Sequence, residues 1–255
     1  MPVATELDIK LEYSVVPDKP AAGKTQAIVV AGGSSRRMGG VNKLFAPLLG
    51  IPVLARSLAA LEHCACIEGI VVAAREQDIP DVQRLCGEYR IAKLRAVVPG
   101  GETRTQSAAC GLAACDADAD YIAVHDAARP LVRPETIERV CEAARRFEAA
   151  ACAVRVKDTV KRTDENGVVL ETPERSRLWQ VQTPQVFAAA LYRRAVEAAL
   201  RDQADCTDDC ALCERLGARV QLVEGDYTNL KITTPEDLAV AQALLLYQSE
   251  GGAQN

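Results

Sequence analysis

Several features are missing from this sequence, and each absence removes a class of function. Its 255 residues include only two histidines, His63 and His125, far apart and with no zinc-type spacing to any cysteine. A zinc site of the finger or ribbon kind is therefore not expected. No apolar run is long enough to span a membrane. Positive charge is not in excess: 30 Lys and Arg stand against 35 Asp and Glu, a formal net charge of -5. Such a balance argues against the broad basic face that nucleic acid requires. Internal repeats and low-complexity linkers are also lacking, so a single domain is expected. The acidic residues Glu6, Asp8, Glu12 and Asp18 argue against a secretory or transit leader, and a cytoplasmic location is expected.

One absence is local. From Thr25 to Leu61 there is no Asp or Glu, where about five would fall by chance, yet Arg36, Arg37, Lys43 and Arg56 are present. This window contains "VVAGGSSRRMGGVNK" (29–43), a glycine-rich turn directly after an apolar strand-like run. It does not have the G-x-G-x-x-G spacing of a dinucleotide site. The only Gly-Lys-Thr, Gly23-Lys24-Thr25, precedes the strand and has Asp18 where a phosphate loop needs its first glycine. A cationic island on an acidic chain, built around close-approach glycines, points to a small anionic ligand, with phosphate the expected group.

Cysteine, by contrast, is plentiful. The ten cysteines fit a reducing compartment as small buried apolar side chains. "CTDDCALC" places Cys206, Cys210 and Cys213 at the C-x3-C-x2-C spacing of radical S-adenosylmethionine enzymes. Here the spacing occurs late in the chain and in a helical stretch. Positions i, i+4 and i+7 would form one buried face with Leu216, without metal.

Along the chain, continuous apolar runs alternate with helical patterns. "QAIVV", "EGIVVAA", "LRAVVPGG" and "YIAVHD" read as strands buried on both faces, and the stretches between them as helices. This predicts a doubly wound, mostly parallel α/β sheet, with the loops at 31–43, 99–107 and 125–133 gathered at one edge. After "ACAVRVKDTVKR" the rhythm breaks. Asn166-Gly167 between two short strand-like runs predicts an inserted β-hairpin arm near 155–180, a lid or a dimerisation arm. The alternation then resumes with a helix near 185–200, the cysteine helix, the strand "ARVQLVEG" and a last helix starting at Thr234-Pro235. The expected organisation is an N-terminal extension at 1–24, one domain at 25–248 and a tail at 249–255. In the extension, Leu7, Ile9, Leu11, Tyr13 and Val15 alternate with mostly polar residues, the period of an extra half-buried strand.

Four more segments follow the glycine loop: "GGETRTQS" (100–107) before a helix, "HDAARP" (125–130) at a strand end, "TPQ" (183–185), and "NLKIT" (229–233) with Lys231. With "AGGSSRRMG…NK", "RSRLWQVQTPQVF", "TDD" and "LKITTPEDL", the chain resembles the 2-C-methyl-D-erythritol 4-phosphate cytidylyltransferase family of the non-mevalonate isoprenoid pathway, from about Gln26 to about Tyr247. The resemblance implies a Rossmann-like sheet of the nucleotide-diphospho-sugar transferase type. It also implies a Mg2+-dependent transfer of CMP from CTP to methylerythritol phosphate, with pyrophosphate released.

By motif position the resemblance implies that Arg37 and Lys43 stabilise the transition state, and that Arg175 and Lys231 hold the methylerythritol phosphate. It implies a CTP site formed by Ala31, Gly32, Gly33, Ser35, Gly101, Arg104 and Ser107, with Asp126 near the metal. Arg129, Thr159, Thr183 and Thr207 would surround the substrate. Thr159 and Arg175 would serve the neighbouring subunit's site, which implies a homodimer. Three positions depart from the family's pattern: Ser35 replaces a frequent third glycine, Asn42 a common proline and Cys210 a small residue. None of them removes a charged group. Two alternatives stay open on these residues: a cytidylyltransferase for another polyol phosphate such as ribitol 5-phosphate, or a catalytically silent nucleotide-binding protein.

Overall fold

The computed structural model describes residues 23–33 and 42–251, without the side chains of 249–251. The expected strand at 6–16 lies outside the described residues, as do Ser35, Arg36 and Arg37. In chain order the elements begin with β1 (Thr25–Ala31), β2 (Pro47–Leu48), β3 (Ile51–Pro52), α1 (Val53–His63) and β4 (Ile67–Ala74). Next come α2 (Ile79–Glu88), β5 (Leu94–Pro99), α3 (Arg104–Ala113), β6 (Tyr121–Asp126), α4 (Pro134–Phe147) and β7 (Ala149–Arg155). The chain continues through β8 (Arg162–Thr163), β9 (Val169–Glu171), β10 (Trp179–Ala188), α5 (Ala189–Arg201), α6 (Asp209–Glu214), β11 (Gln221–Glu224) and α7 (Pro235–Gly251).

A seven-stranded sheet has the order β11-β7-β10-β6-β1-β4-β5. All its strands run the same way except β10, which pairs antiparallel with both β6 and β7. The continuous apolar runs are explained by cover on both faces. Ala27 and Val29 face a core with Leu54 and Leu58 of α1, Leu85 of α2 and Ile137 of α4. Ile28, between them, faces a second core with Leu112 of α3, Tyr192 of α5 and Leu212 of α6. A fully buried Leu or Ile contributes about 1.5–3 kcal/mol, so these two layers hold the sheet in place. Helix α3 packs so closely on β1 that a Cβ at Gly111 would stand 2.4 Å from Ile28 Cγ2.

Register brings the ligand-bearing loops to one edge: Ala31 lies beside Ala74, Ala74 beside Pro99, and Val30 beside Asp126. Strand β10 differs from expectation. The helix expected from 185 starts only at Ala189, because Gln185–Ala188 pair with β6 on one side and Gln185–Phe187 with β7 on the other. Its pairing is irregular between Val181 and Gln185, where Pro184 has no N–H to give the ladder. The cysteine helix is also shorter than expected. Cys210 and Cys213 are buried on α6, but Cys206 precedes it and Leu216 lies beyond it, partly exposed, so the four do not share one helix face. At the far end, α7 continues past the expected boundary at 248 to Gly251.

The inserted arm is a hairpin of β8 and β9. Asp164 Oδ1 accepts the N–H groups of Asn166 and Val168, and Gly167 takes a left-handed φ of +82°. Only glycine adopts that conformation without strain. The apolar residues Val168, Val169 and Leu170 are 53–61% exposed in the subunit. At the arm's root Arg155 stacks over Trp179, 4.4 Å from the ring centroid. No helix among the described residues is long and apolar enough to cross a membrane.

Candidate active site

A cavity of about 420 Å³ opens at the shared strand edge. Its lining comes from four places: Ala31, Gly32 and Gly33 at the end of β1; Gly101 to Arg104 and Ser107 at the start of α3; Asp126 to Ala128 at the end of β6; and Lys231 and Thr233 before α7. Lys43 and Leu44 close one side. Of the expected site residues, the fold brings Ala31, Gly32, Gly33, Lys43, Gly101, Arg104, Ser107, Asp126 and Lys231 together in this lining.

The local sequence explains this shape. Thr103 caps α3 by accepting the Gln106 N–H, and Gln106 Oε1 accepts from the N–H groups of Glu102 and Thr103. Ser107, buried one turn in, accepts the Gly101 N–H at 3.1 Å. A Cβ at Gly32 would stand 3.2 Å from Ser107 Oγ, and one at Gly101 only 2.2 Å from Gln106 Cβ. The glycines thus let two turns close around one serine. This arrangement sets the N-terminus of α3, a favourable place for anions, at the cavity wall.

Asp126 is the electrostatic centre. Lys231 Nζ lies 2.9 Å from its Oδ2 and Arg129 Nε 3.4 Å from the same oxygen, while Arg104 Nη2 is 3.8 Å from Oδ1. Burial alone would raise this carboxyl's pKa; the three cations overcome burial and hold it far below the usual carboxylate range. Burial would likewise lower Arg104, but Asp209 and Asp126 outweigh it and keep the guanidinium above its ordinary value. Lys43 donates to the Ile232 carbonyl at 2.8 Å, tying the glycine-loop side to the Lys231 side.

Beneath the cavity runs a buried chain of hydrogen bonds. The Asp126 N–H donates to Thr183 Oγ1 at 3.0 Å, the Thr183 hydroxyl donates to His125 Nδ1 at 3.0 Å, and His125 Nε2 faces the Arg129 carbonyl at 3.4 Å. His125 has no solvent exposure, and burial pushes its pKa down to about 4, so the ring is neutral. Arg129 is also buried and donates to the Asn229 carbonyl at 2.7 Å. Arg129 and Thr183 therefore sit behind the lining, Thr183 with its hydroxyl already engaged as donor and acceptor.

Other expected residues lie elsewhere. Arg175 is exposed at the arm and donates to the Lys157 carbonyl at 3.0 Å; Thr159 is exposed nearby. Thr207 is exposed in the loop before α6. None of the three lines this subunit's cavity. Arg56 leaves the cationic island altogether: it is buried, and its Nε and Nη2 donate to the Leu48 carbonyl at 3.0 and 2.8 Å. That carbonyl sits at the tight turn of Leu49 and Gly50, both at positive φ, where the strand ladder ends. Two contributors went unforeseen. Thr233 lines the cavity, and Asp209 pairs with Arg104 at 2.5 Å. The motif "TDD" contains Asp209, but only the fold sets it against Arg104.

Comparisons with known proteins identify the family. The family model for 2-C-methyl-D-erythritol 4-phosphate cytidylyltransferase (IspD) matches residues 25–247. The chain is 44% identical over 229 residues to the protein of that name from Desulforamulus reducens, covering 88% of this chain and 96% of the relative. It is 43% identical over 235 residues to that of Halalkalibacterium halodurans, covering 92% and 97%. Its fold is similar to the crystal structure of 4-diphosphocytidyl-2C-methyl-D-erythritol synthase from Anaerococcus prevotii, with TM-score 0.80, 31% identity, and 88% and 96% coverage. The 2-C-methyl-D-erythritol 4-phosphate cytidylyltransferase structure from Thermus thermophilus gives a TM-score of 0.71 at 33% identity, covering 87% of this chain and 98% of that one.

Proposed function

Because the chain belongs to the 2-C-methyl-D-erythritol 4-phosphate cytidylyltransferase family, we propose that it transfers CMP from CTP to 2-C-methyl-D-erythritol 4-phosphate in this cavity. A phosphate oxygen of the alcohol phosphate bonds to the α-phosphorus of CTP. The bond from that phosphorus to the α,β-bridging oxygen breaks, and pyrophosphate leaves. The products are 4-diphosphocytidyl-2-C-methyl-D-erythritol and pyrophosphate, an intermediate step of non-mevalonate isoprenoid biosynthesis.

The attacking group is already an ionised phosphate oxygen, so no strong general base is required. The difficulty is to bring two polyanions together and to stabilise the charge at phosphorus. The observation that carries the reading is the set of cations around a buried carboxylate at the strand edge, Lys231, Arg129 and Arg104 about Asp126. Arg104 and the first turn of α3 face the triphosphate. Lys43, with Arg37 by family resemblance, neutralises charge that builds up on the α-phosphoryl group. Lys231, beside the Ile232 carbonyl that Lys43 meets, holds the attacking phosphate in line.

The residues also suit a divalent cation such as Mg2+. Asp126 remains ionised, and among the described residues its Oδ1 has only the long Arg104 ion pair, whereas Oδ2 carries both shorter ones. Among the described residues no three His, Cys, Asp or Glu side chains converge as a metal cage. This fits Mg2+, which commonly takes one or two carboxylates together with substrate phosphates and water. When bound, the cation neutralises phosphate charge. Asp126 would hold it.

The arm supports a homodimer. Arg175 and Thr159 are exposed and lie off this subunit's cavity, and Val168, Val169 and Leu170 present apolar surface beyond the body of the subunit. In a dimer the arm would cover that surface and deliver Arg175 and Thr159 to the neighbouring site. Ten unpaired cysteines fit a reducing, cytoplasmic location. The deciding experiment is pyrophosphate release from CTP, with methylerythritol phosphate and ribitol 5-phosphate assayed side by side. Much faster turnover with methylerythritol phosphate is expected; preference for ribitol phosphate would overturn the substrate assignment.

A further inference from the structure

Arg104 stands between two carboxylates. Its Nη1 is 2.5 Å from Asp209 Oδ2 and its Nη2 is 3.8 Å from Asp126 Oδ1. Asp126 opens to the cavity, whereas Asp209 has no solvent exposure and lies behind the wall. An ionised carboxylate so deep in a protein needs a cation and hydrogen bonds to remain there. Asp209 has both. Among the described residues Arg104 is its one ion-pair partner, and its other oxygen, Oδ1, accepts the Tyr192 hydroxyl at 2.6 Å.

The support behind Asp209 is rigid. Tyr192 is fully buried and stacks on Phe187 with ring centroids 5.1 Å apart and planes 7° from parallel. Gln185 Oε1 accepts the backbone N–H groups of Asp209 and Cys210 at 3.0 and 3.1 Å. Its amide nitrogen donates to Asp208, whose other oxygen caps α6 through the Ala211 N–H. The carboxylate that meets Arg104 is thus fixed by α5, β10 and its own helix together.

Taking the cavity to be the nucleotide site, as proposed above, we propose that Asp209 and Tyr192 are positioning residues which draw Arg104 away from Asp126 and present it to the phosphates of an incoming nucleoside triphosphate. The two carboxylates compete for one guanidinium. With Asp209 in place, Arg104 spends its close contact on a group the ligand never meets, and its contact with Asp126 stays long. Without that charge the guanidinium would settle on Asp126, and the pair would cancel inside the cavity. A nucleotide would then have to break that pair before binding.

The test uses the full-length enzyme and two conservative substitutions. Asp209→Asn keeps the shape and removes the charge; Tyr192→Phe keeps the ring stack and removes the hydroxyl. Asp209→Asn should raise KM for CTP about tenfold or more, the scale of a weakened charge-assisted contact, and Tyr192→Phe about threefold. In both, kcat and KM for methylerythritol phosphate should stay within about twofold, and CTP affinity by calorimetry should fall by the same factor as KM rises. On an Arg104→Gln background, Asp209→Asn should add no further loss, because it acts through Arg104. A full additional loss on that background, or a decline in kcat and both KM values in step with the melting temperature, would overturn the proposal. If Asp209→Asn does not fold, Tyr192→Phe decides by the same measurements. A wild-type enzyme that bound CTP but failed to use methylerythritol phosphate would refute the substrate assignment alone. The calorimetric comparison of wild type with the two variants would still judge the positioning.

Discussion

Lys231 and Asp126 form an unequal pair: the Nζ–Oδ2 distance is 2.9 Å, yet the lysine side chain is 41% exposed and the carboxylate only 10%. The lysine can leave this contact for a ligand at little cost, whereas the aspartate cannot lose its three cations without leaving charge unpaired. Function and stability should therefore separate between the two. Lys231→Ala is expected to lower kcat/KM about 10²–10³-fold while changing stability by less than about 1 kcal/mol. Asp126→Ala should in addition destabilise the fold, by about 3–5 kcal/mol, because buried Arg129 loses its carboxylate. Turnover assays beside urea melts check both; equal destabilisation by the two substitutions would contradict this division.

The glycine-loop side should respond in the same way as Lys231. Arg37→Ala or Lys43→Ala is expected to lower kcat about 10²–10³-fold, the usual size for removing a charge-stabilising donor. For Lys43 the bond to the Ile232 carbonyl is lost as well, so a small decrease in melting temperature accompanies the loss of rate. An activity loss that merely tracks thermal stability would assign these cations a structural role instead.

His125 makes stability depend on pH. Folding lowers its pKa from the ordinary 6.5 to about 4, so between these values the unfolded chain binds the extra proton. The stabilisation is complete above about pH 6.5 and is lost as the pH falls towards 4, at most about 1.4 kcal/mol per pH unit. His125→Asn should be less stable at pH 7 yet show a shallower slope between pH 6.5 and 5. Urea melts across that window decide, and parallel slopes for the two proteins would exclude His125 as the source.

The arm should govern assembly. Deleting residues 160–174 is expected to give monomers of low activity, since Thr159 and Arg175 lose their placement. Light scattering checks the mass and pyrophosphate release the rate. A deleted protein that remains dimeric would show that the interface lies elsewhere.

Much of this architecture was legible from particular residues. Continuous apolar runs such as Ala27-Ile28-Val29-Val30 mark strands covered on both faces, and the glycine and charged clusters mark their loop-bearing ends. Asn166-Gly167 marks the hairpin, although only Gly167 adopts positive φ. What stayed hidden depends on long-range packing. Strand β10 passes through Gln182, Thr183 and Pro184, a polar stretch with a proline, and its direction is fixed only by its two neighbours. Arg56 looks like a ligand cation until the Leu48 carbonyl is found waiting for it. Nor does the sequence show that Thr183 and Arg129, expected around the substrate, are engaged by His125, Asp126 and Asn229. In the same way Tyr192 and Asp209, 17 positions apart, meet only once α5 and α6 are packed.

Strand β10 also limits how this protein can be recombined with its relatives. The strand begins at the arm's root, and a few residues later Thr183 locks onto His125 and Asp126. A one-residue insertion between Trp179 and Thr183 would turn every following side chain to the other face of the sheet. Hairpins of different length can therefore be grafted only outside the last backbone rung, where the Val156 N–H meets the Leu178 carbonyl at 3.1 Å. Seams placed beyond that rung leave the catalytic edge in register, whereas seams placed within β10 rewrite it.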